Sequence, residues 1–184
     1  MSALSITLVV IAAVIVVILA AWVMALRRRS RLRGRFGSEY DRALGAAGSR
    51  RAGERALRER VQERRTIDLR PLASSRRDQY AQQWREVQAQ FVDAPQTALR
   101  QADALVTSVM RDIGYPVDDF EHQAALTSVD HPSVVDNYRE GHEAFVSSVN
   151  GRGTTETMRR GFVCYRTLFT ELLDDQAATS EVGE

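Results

Sequence analysis

SSRRDQYAQQWREVQAQFVDAPQTALRQADALVTSVMRDIGYP, residues 74–116, is the stretch that decides the fold. Ser75 and Asp78 stand in capping-box-like spacing, and Tyr80, Trp84, Val87 and Phe91 then follow at steps of four, three and four. That spacing places four large side chains on one face of a helix. Asp93 stands as a cap before a second helix, with Pro95 in its first turn, where a missing N–H is tolerated. Leu99, Ala102, Leu105, Val106, Val109, Met110 and Ile113 form the apolar stripe of this helix, and Gly114-Tyr115-Pro116 ends it. Amphipathic helices of this kind enclose a core only together with further helices.

The residues that follow supply those helices. A short helix is predicted from Val117 to Thr127, with Asp118, Asp119 and Glu121 at the end where negative charge is favourable. Asp130-His131-Pro132 starts another, with Val134, Val135, Tyr138, His142, Phe145 and Val149 on one face. The loop Asn150-Gly151-Arg152-Gly153 stops it. Thr154 or Thr155 then caps a last helix in which Met158, Phe162, Tyr165, Phe169 and Leu172 recur at helical spacing. After Asp175 the chain is small, polar and acidic, and residues 176–184 read as a disordered tail. No strand pattern appears, so the fold class is all-α, with an irregular bundle of four or five helices over residues 74–175.

Upstream, Ile67-Asp68-Leu69-Arg70-Pro71-Leu72 alternates apolar residues, and Pro71 pushes Arg70 out of the α region. It reads as an extended crossover. Before it, Ser38–Ala47 and Ser49–Thr66 read as helices, the second with i, i+4 pairs such as Glu54 and Arg58 and few apolar positions. Residues 38–73 are therefore expected to form a charged, solvated helical stalk and crossover. Heptads sustained enough for a coiled coil are absent.

The N-terminus reads ALSITLVVIAAVIVVILAAWVMAL over residues 3–26, without a charged residue. About 20 mostly apolar residues suffice to span a bilayer, because helical geometry satisfies every backbone amide internally. A single transmembrane helix is expected. A cleaved signal peptide would begin with a basic region and carry a shorter apolar run, so Val23-Met24-Ala25 is not taken as a cleavage site. Residues 27–37 form a basic juxtamembrane segment holding Arg27, Arg28, Arg29, Arg31, Arg33 and Arg35. Basic flanks stay on the cytoplasmic side, which sets the N-terminus outside and the soluble domain inside the plasma membrane. These arginines are the expected contacts with anionic headgroups, and Trp22 is the expected interface anchor. Membrane adjacency accounts for them without nucleic acid.

Net charge is +1, but residues 27–77 hold 17 Arg against 6 acids while residues 78–184 hold 8 Arg against 18 acids. The chain is basic beside the membrane and acidic beyond it. A lone cysteine, Cys164, excludes an intrachain disulfide.

RFGSEYDRAL (35–44), IDLRPL (67–72), YAQQWREVQAQFVDAP (80–95), ADALVTSVMRDIGYPVDDFE (102–121), SVDHPSVVDNYREGH (128–142) and YRTLFTELL (165–173) occur in this order. The series resembles a family of small actinobacterial membrane proteins often labelled as secreted. The resemblance covers nearly the whole chain and implies no activity, cofactor or catalytic residue.

His122, His131 and His142 each have a carboxylate nearby in sequence, Glu121, Asp130 and Glu143, but the repeated Glu-x-x-His of a di-iron bundle and the His-Glu-x-x-His of a zinc hydrolase are both missing. Asp119-x-x-His122 is the one fragment of that kind. Helix capping by Asp119 and Asp130, and a half-buried His142, account for the set. Cys164 on an apolar helix reads as a small hydrophobe, and Gly151-x-Gly153 follows a helix, so it is a stop rather than a phosphate loop. No catalytic, cofactor or metal residue is assigned. The expected function is a non-enzymatic interaction or scaffolding module with a protein partner at the inner membrane face. The competing expectation is a ligand- or metal-binding, even enzymatic, helical domain built on residues 118–143.

Overall fold

The computed structural model describes residues 3–182, and within them the side chains other than those of residues 3–10, 12, 21, 25, 28, 29 and 178–182. Among the described residues every regular element is a helix, in the order α1 (Ala3–Phe36), α2 (Ser38–Ala47), α3 (Arg50–Thr66), α4 (Ser74–Gln90), α5 (Pro95–Ile113), α6 (Phe120–Asp130), α7 (Val135–Val149) and α8 (Thr155–Val182).

Helices α4 to α8 enclose one core. The α4 face buries Tyr80, Trp84 and Val87, and every residue of the predicted α5 stripe is buried. Trp84 lies over two α8 rings, Phe162 at 5.2 Å and Phe169 at 4.6 Å between centroids. Its Nε1 is a buried donor without a partner among the described residues. Helix α8 runs along both α5 and α7. Small residues permit the α7–α8 approach: a Cβ on Gly161 would meet the Ala144 Cβ at 2.3 Å, and one on Gly141 would meet the Tyr165 ring at 3.0 Å.

Helix starts differ in detail from the expectations. Neither α4 nor α5 takes a side-chain cap, so Ser75 and Asp93 do not serve as predicted, although Pro95 does open α5. Asp119 caps α6 by accepting from the His122 N–H, which moves the start of that helix to Phe120. Thr154 Oγ1 accepts from the Thr157 N–H at the head of α8. Val149, expected on the buried face of α7, is 54% exposed.

The expected disordered tail is corrected at its beginning. Helix α8 continues to Val182, and Gln176 is buried, accepting from the Leu72 N–H at 3.1 Å. A crossover segment with no ladder partner needs such acceptors and donors from elsewhere, and the Arg70 N–H likewise donates to the Ile113 carbonyl at 2.8 Å.

The largest departure concerns the stalk. Helix α1 continues through the arginine cluster to Phe36 without loosening at Gly34, and the chain turns at Gly37, where φ is +50°. Helices α2 and α3 then fold back on each other as a hairpin. A Cβ on Gly53 would meet the Leu44 Cα at 2.9 Å, so glycine there is what lets the two helices touch. Phe36, Tyr40, Ala43 and Leu57 form a small core with Val129 of α6. The segment is therefore docked on the bundle rather than solvated on all sides.

Ile11, Val14 to Leu19, Trp22, Val23, Met24 and Leu26 of α1 are exposed, with Val17 at 67% and Trp22 at 61%. Among the described residues no helix is long and apolar enough to cross a membrane. The apolar run 3–26 lies partly outside that set, because eleven of its side chains, at positions 3–10, 12, 21 and 25, are not described.

Candidate functional site

Where the hairpin meets the bundle, Glu39 is fully buried in the first turn of α2. A buried carboxylate must be paired to persist as an ion. Here Arg139 of α7 donates through Nε at 2.8 Å and Nη2 at 3.4 Å, Arg60 of α3 donates at 3.1 Å, and Arg42 lies at 3.1 Å. Arg139 also donates to Glu121 of α6 at 2.6 Å. Burial acts to lower the Arg139 pKa, but the hydrogen bonds to Glu39 and Glu121 outweigh it and hold it raised. One carboxylate thus ties together α2, α3 and α7, and through Arg139 reaches α6.

A second node lies alongside. Asp130 does not open α7 as the sequence suggests; Val134 precedes that helix without a side-chain cap. Instead Asp130 accepts from Arg64 of α3 and from the Tyr115 hydroxyl at 2.6 Å, with the Arg64 guanidinium over the Tyr115 ring. The Tyr115 hydroxyl is pushed well up by burial and by the Asp130 bond.

In front of the Glu39 node a groove of about 1050 Å³ opens between α2, α6, α7 and α8. Ser38 and Arg42 line it from α2, Asp119 to Glu121 from the head of α6, Asp136, Arg139, His142, Glu143 and their groove-side neighbours from α7, and Thr157 and Arg160 from α8. Its three arginines are all matched: Arg42 and Arg139 on Glu39, and Arg160 on Glu140 at 2.6 Å. Glu143 has no partner among the described residues, while Asp136 meets only the Ser38 hydroxyl and Asp119 only a backbone amide. The unmatched charge of the groove is negative.

His142 forms part of the groove wall, stacked on Phe120 at 3.6 Å between centroids. Its Nδ1 lies 3.3 Å from Asp103 Oδ1, the same oxygen that accepts from the Tyr165 hydroxyl. The other two histidines are elsewhere: His122 Nε2 meets Glu63 at 2.9 Å, and His131 Nδ1 faces Glu171 at 3.9 Å. Each histidine thus takes its carboxylate from another helix rather than from its sequence neighbour. Among the described residues no group of three or more His, Cys, Asp or Glu side chains could hold a metal ion. Burial and Glu140 push the Cys164 thiol up to about 11, away from nucleophile chemistry.

Of the arginines between residues 27 and 35, Arg33 pairs with Asp41 at 3.5 Å and Arg35 sits over the Phe36 ring at 6.0 Å. Arg27 and Arg31 are exposed, and the side chains of Arg28 and Arg29 lie outside the described residues. Sequence reasoning missed Glu39, Arg139 and Asp103. Glu39 reads as an ordinary first-turn acid, and its principal partner lies 100 residues away.

No protein-family model matches the chain, and no curated protein or solved structure matches it.

Proposed function

We propose that this chain is a single-pass membrane protein whose helical head is an interaction or scaffolding module, without catalysis, at the cytoplasmic face. Residues 3–26 are the span, Trp22 sits at the inner interface, and the arginines from Arg27 to Arg35 rest on anionic headgroups. The observation that carries the reading is the exposed apolar surface of α1, from Ile11 to Leu26, on a helix continuous with the docked hairpin. A contiguous apolar surface of that kind calls for a membrane or a partner to cover it.

The groove is the partner site, and its unmatched carboxylates Asp119, Asp136 and Glu143 suit a basic segment of a cytoplasmic protein. A photo-crosslinking residue at Ser147 in living cells is expected to trap a partner with a basic segment, and Glu143→Arg to abolish the product. Equal crosslinking in the wild type and Glu143→Arg would refute the assignment. A ligand-binding reading rests on His142, held by Asp103 at the groove wall; it would gain if His142→Ala removed saturable binding of a small cationic ligand.

A further inference from the structure

Helix α3 carries seven arginines, and beyond Arg50 at its first position the fold divides the other six in two. Arg60 and Arg64 lie on the packed face with Gly53 and Leu57 and are paired with Glu39 and Asp130. Arg51, Arg55, Arg58 and Arg65, with Gln62, recur at i, i+4, i+7, i+11 and i+14, which places them on the opposite face. All four are exposed and have no hydrogen-bond or ion-pair partner among the described residues. A merely solvated helix face usually mixes both signs of charge. This stripe presents four guanidinium groups and no carboxylate along about 21 Å of helix.

Its place in the fold matters as much as its charge. Leu57 of α3 and Phe36, the last residue of α1, are both fully buried in the same small core, so α3 is held at the end of α1. Phe36 lies ten residues beyond Leu26, or about 15 Å along the helix. An extended arginine side chain spans part of that gap, and charges still attract over roughly 8 Å at physiological ionic strength. The acidic bundle packs on the other side of α3, where the same anionic surface would repel it.

We propose that the outer face of α3 is a second anionic-lipid contact, which lays the hairpin on the bilayer and turns the acidic groove away from it; this rests on the proposed span. A polyanion such as single-stranded nucleic acid has compatible chemistry, but attachment of α3 to the end of α1 favours the lipid surface.

The test uses the full chain with Cys164→Ala and Gln62→Cys, labelled with a fluorophore at position 62 and reconstituted in vesicles containing a headgroup-attached quencher. Quenching should be at least about twofold stronger in phosphatidylserine–phosphatidylcholine vesicles than in phosphatidylcholine alone, and should fade at ~1 M salt, where the screening length is about 3 Å. Adding R51Q, R55Q, R58Q and R65Q together should remove the difference while circular dichroism stays unchanged. Equal quenching in the two lipids, or indifference to the four substitutions, overturns the proposal. So does stripe-dependent binding of a single-stranded oligonucleotide without any lipid effect. Release of the chain by alkaline carbonate would instead defeat the span, and the lipid dependence of quenching would still read the stripe separately.

Discussion

The bundle α4–α8 and the hairpin α2–α3 are both helical and both packed, yet they cohere by different forces. The bundle buries a continuous set of apolar and aromatic side chains from Leu72 to Leu172. The hairpin contributes Tyr40, Ala43 and Leu57 to its small core, with Leu44 and Val61 partly buried against it, and is further held by Glu39 on Arg60 and Arg139, Arg64 on Asp130, Glu63 on His122, and Ser38 on Asp136. Apolar burial is non-directional and tolerant, whereas a buried ion pair is strongly unfavourable when one partner is lost. The bundle should therefore be self-sufficient, and the hairpin conditional on a few charges.

Alkaline pH should produce the largest effect, and it should fall on the bundle. Burial, reinforced by Asp112, pushes the Tyr80 hydroxyl up to about 12. Burial also raises Tyr138 and Tyr165, with Asp103 adding to both. The folded state then keeps protons that the unfolded chain releases near pH ~10, so stability is intact below that pH and falls as pH rises through the folded values. Tyrosinate absorbance and near-ultraviolet circular dichroism should change together above pH ~10. Tyrosine ionisation well before any loss of structure would show these hydroxyls to be less enclosed than described.

Trp84→Ala should follow, costing about 3–5 kcal/mol in global unfolding because the rings of Phe162 and Phe169 lose their cover. Denaturant titration reads this directly; a loss below about 1 kcal/mol would mean that the ring cluster is not a core. Glu39→Ala should cost about 2–3 kcal/mol, confined to docking of the hairpin, since it leaves the largely buried Arg139 with Glu121 alone. Hydrogen exchange should then quicken in α2 and α3 but not in α5 or α8, and Arg139→Ala added to it should recover part of the loss. Uniform quickening throughout would erase the distinction between the two regions. Ser49→Ala, which deletes the hydroxyl accepting from the Ala52 N–H at the head of α3, should cost about 1 kcal/mol, seen as fraying at the start of that helix.

The same contrast explains what could be read in advance. Periodicity identified the α5 stripe and the α8 series from Met158 to Leu172, because a core that wide writes itself into spacing. Docking of the hairpin left no such trace. Its decisive groups are charged, and charged residues on a helix ordinarily signal solvent. Glu39 and Arg139 become partners only once α2 and α7 are adjacent, and no local pattern announces that. The missed caps have a related cause: Asp130 resembles a helix start in sequence, but Arg64 and Tyr115 claim its carboxylate. Of the groove, the sequence revealed His142 and the acids of α6, but not Asp103, which holds His142 from another helix.

The proposed span and its direction are the claim on which the groove's proposed partner and the proposed α3 contact both rest. It is tested most directly by fusing a compartment-sensitive reporter after Glu184 in the full chain. Cytoplasmic activity, with the intact N-terminus retained, is the expected result. Activity of the reporter only on the outer side, or a mature protein beginning after Ala25, would contradict it.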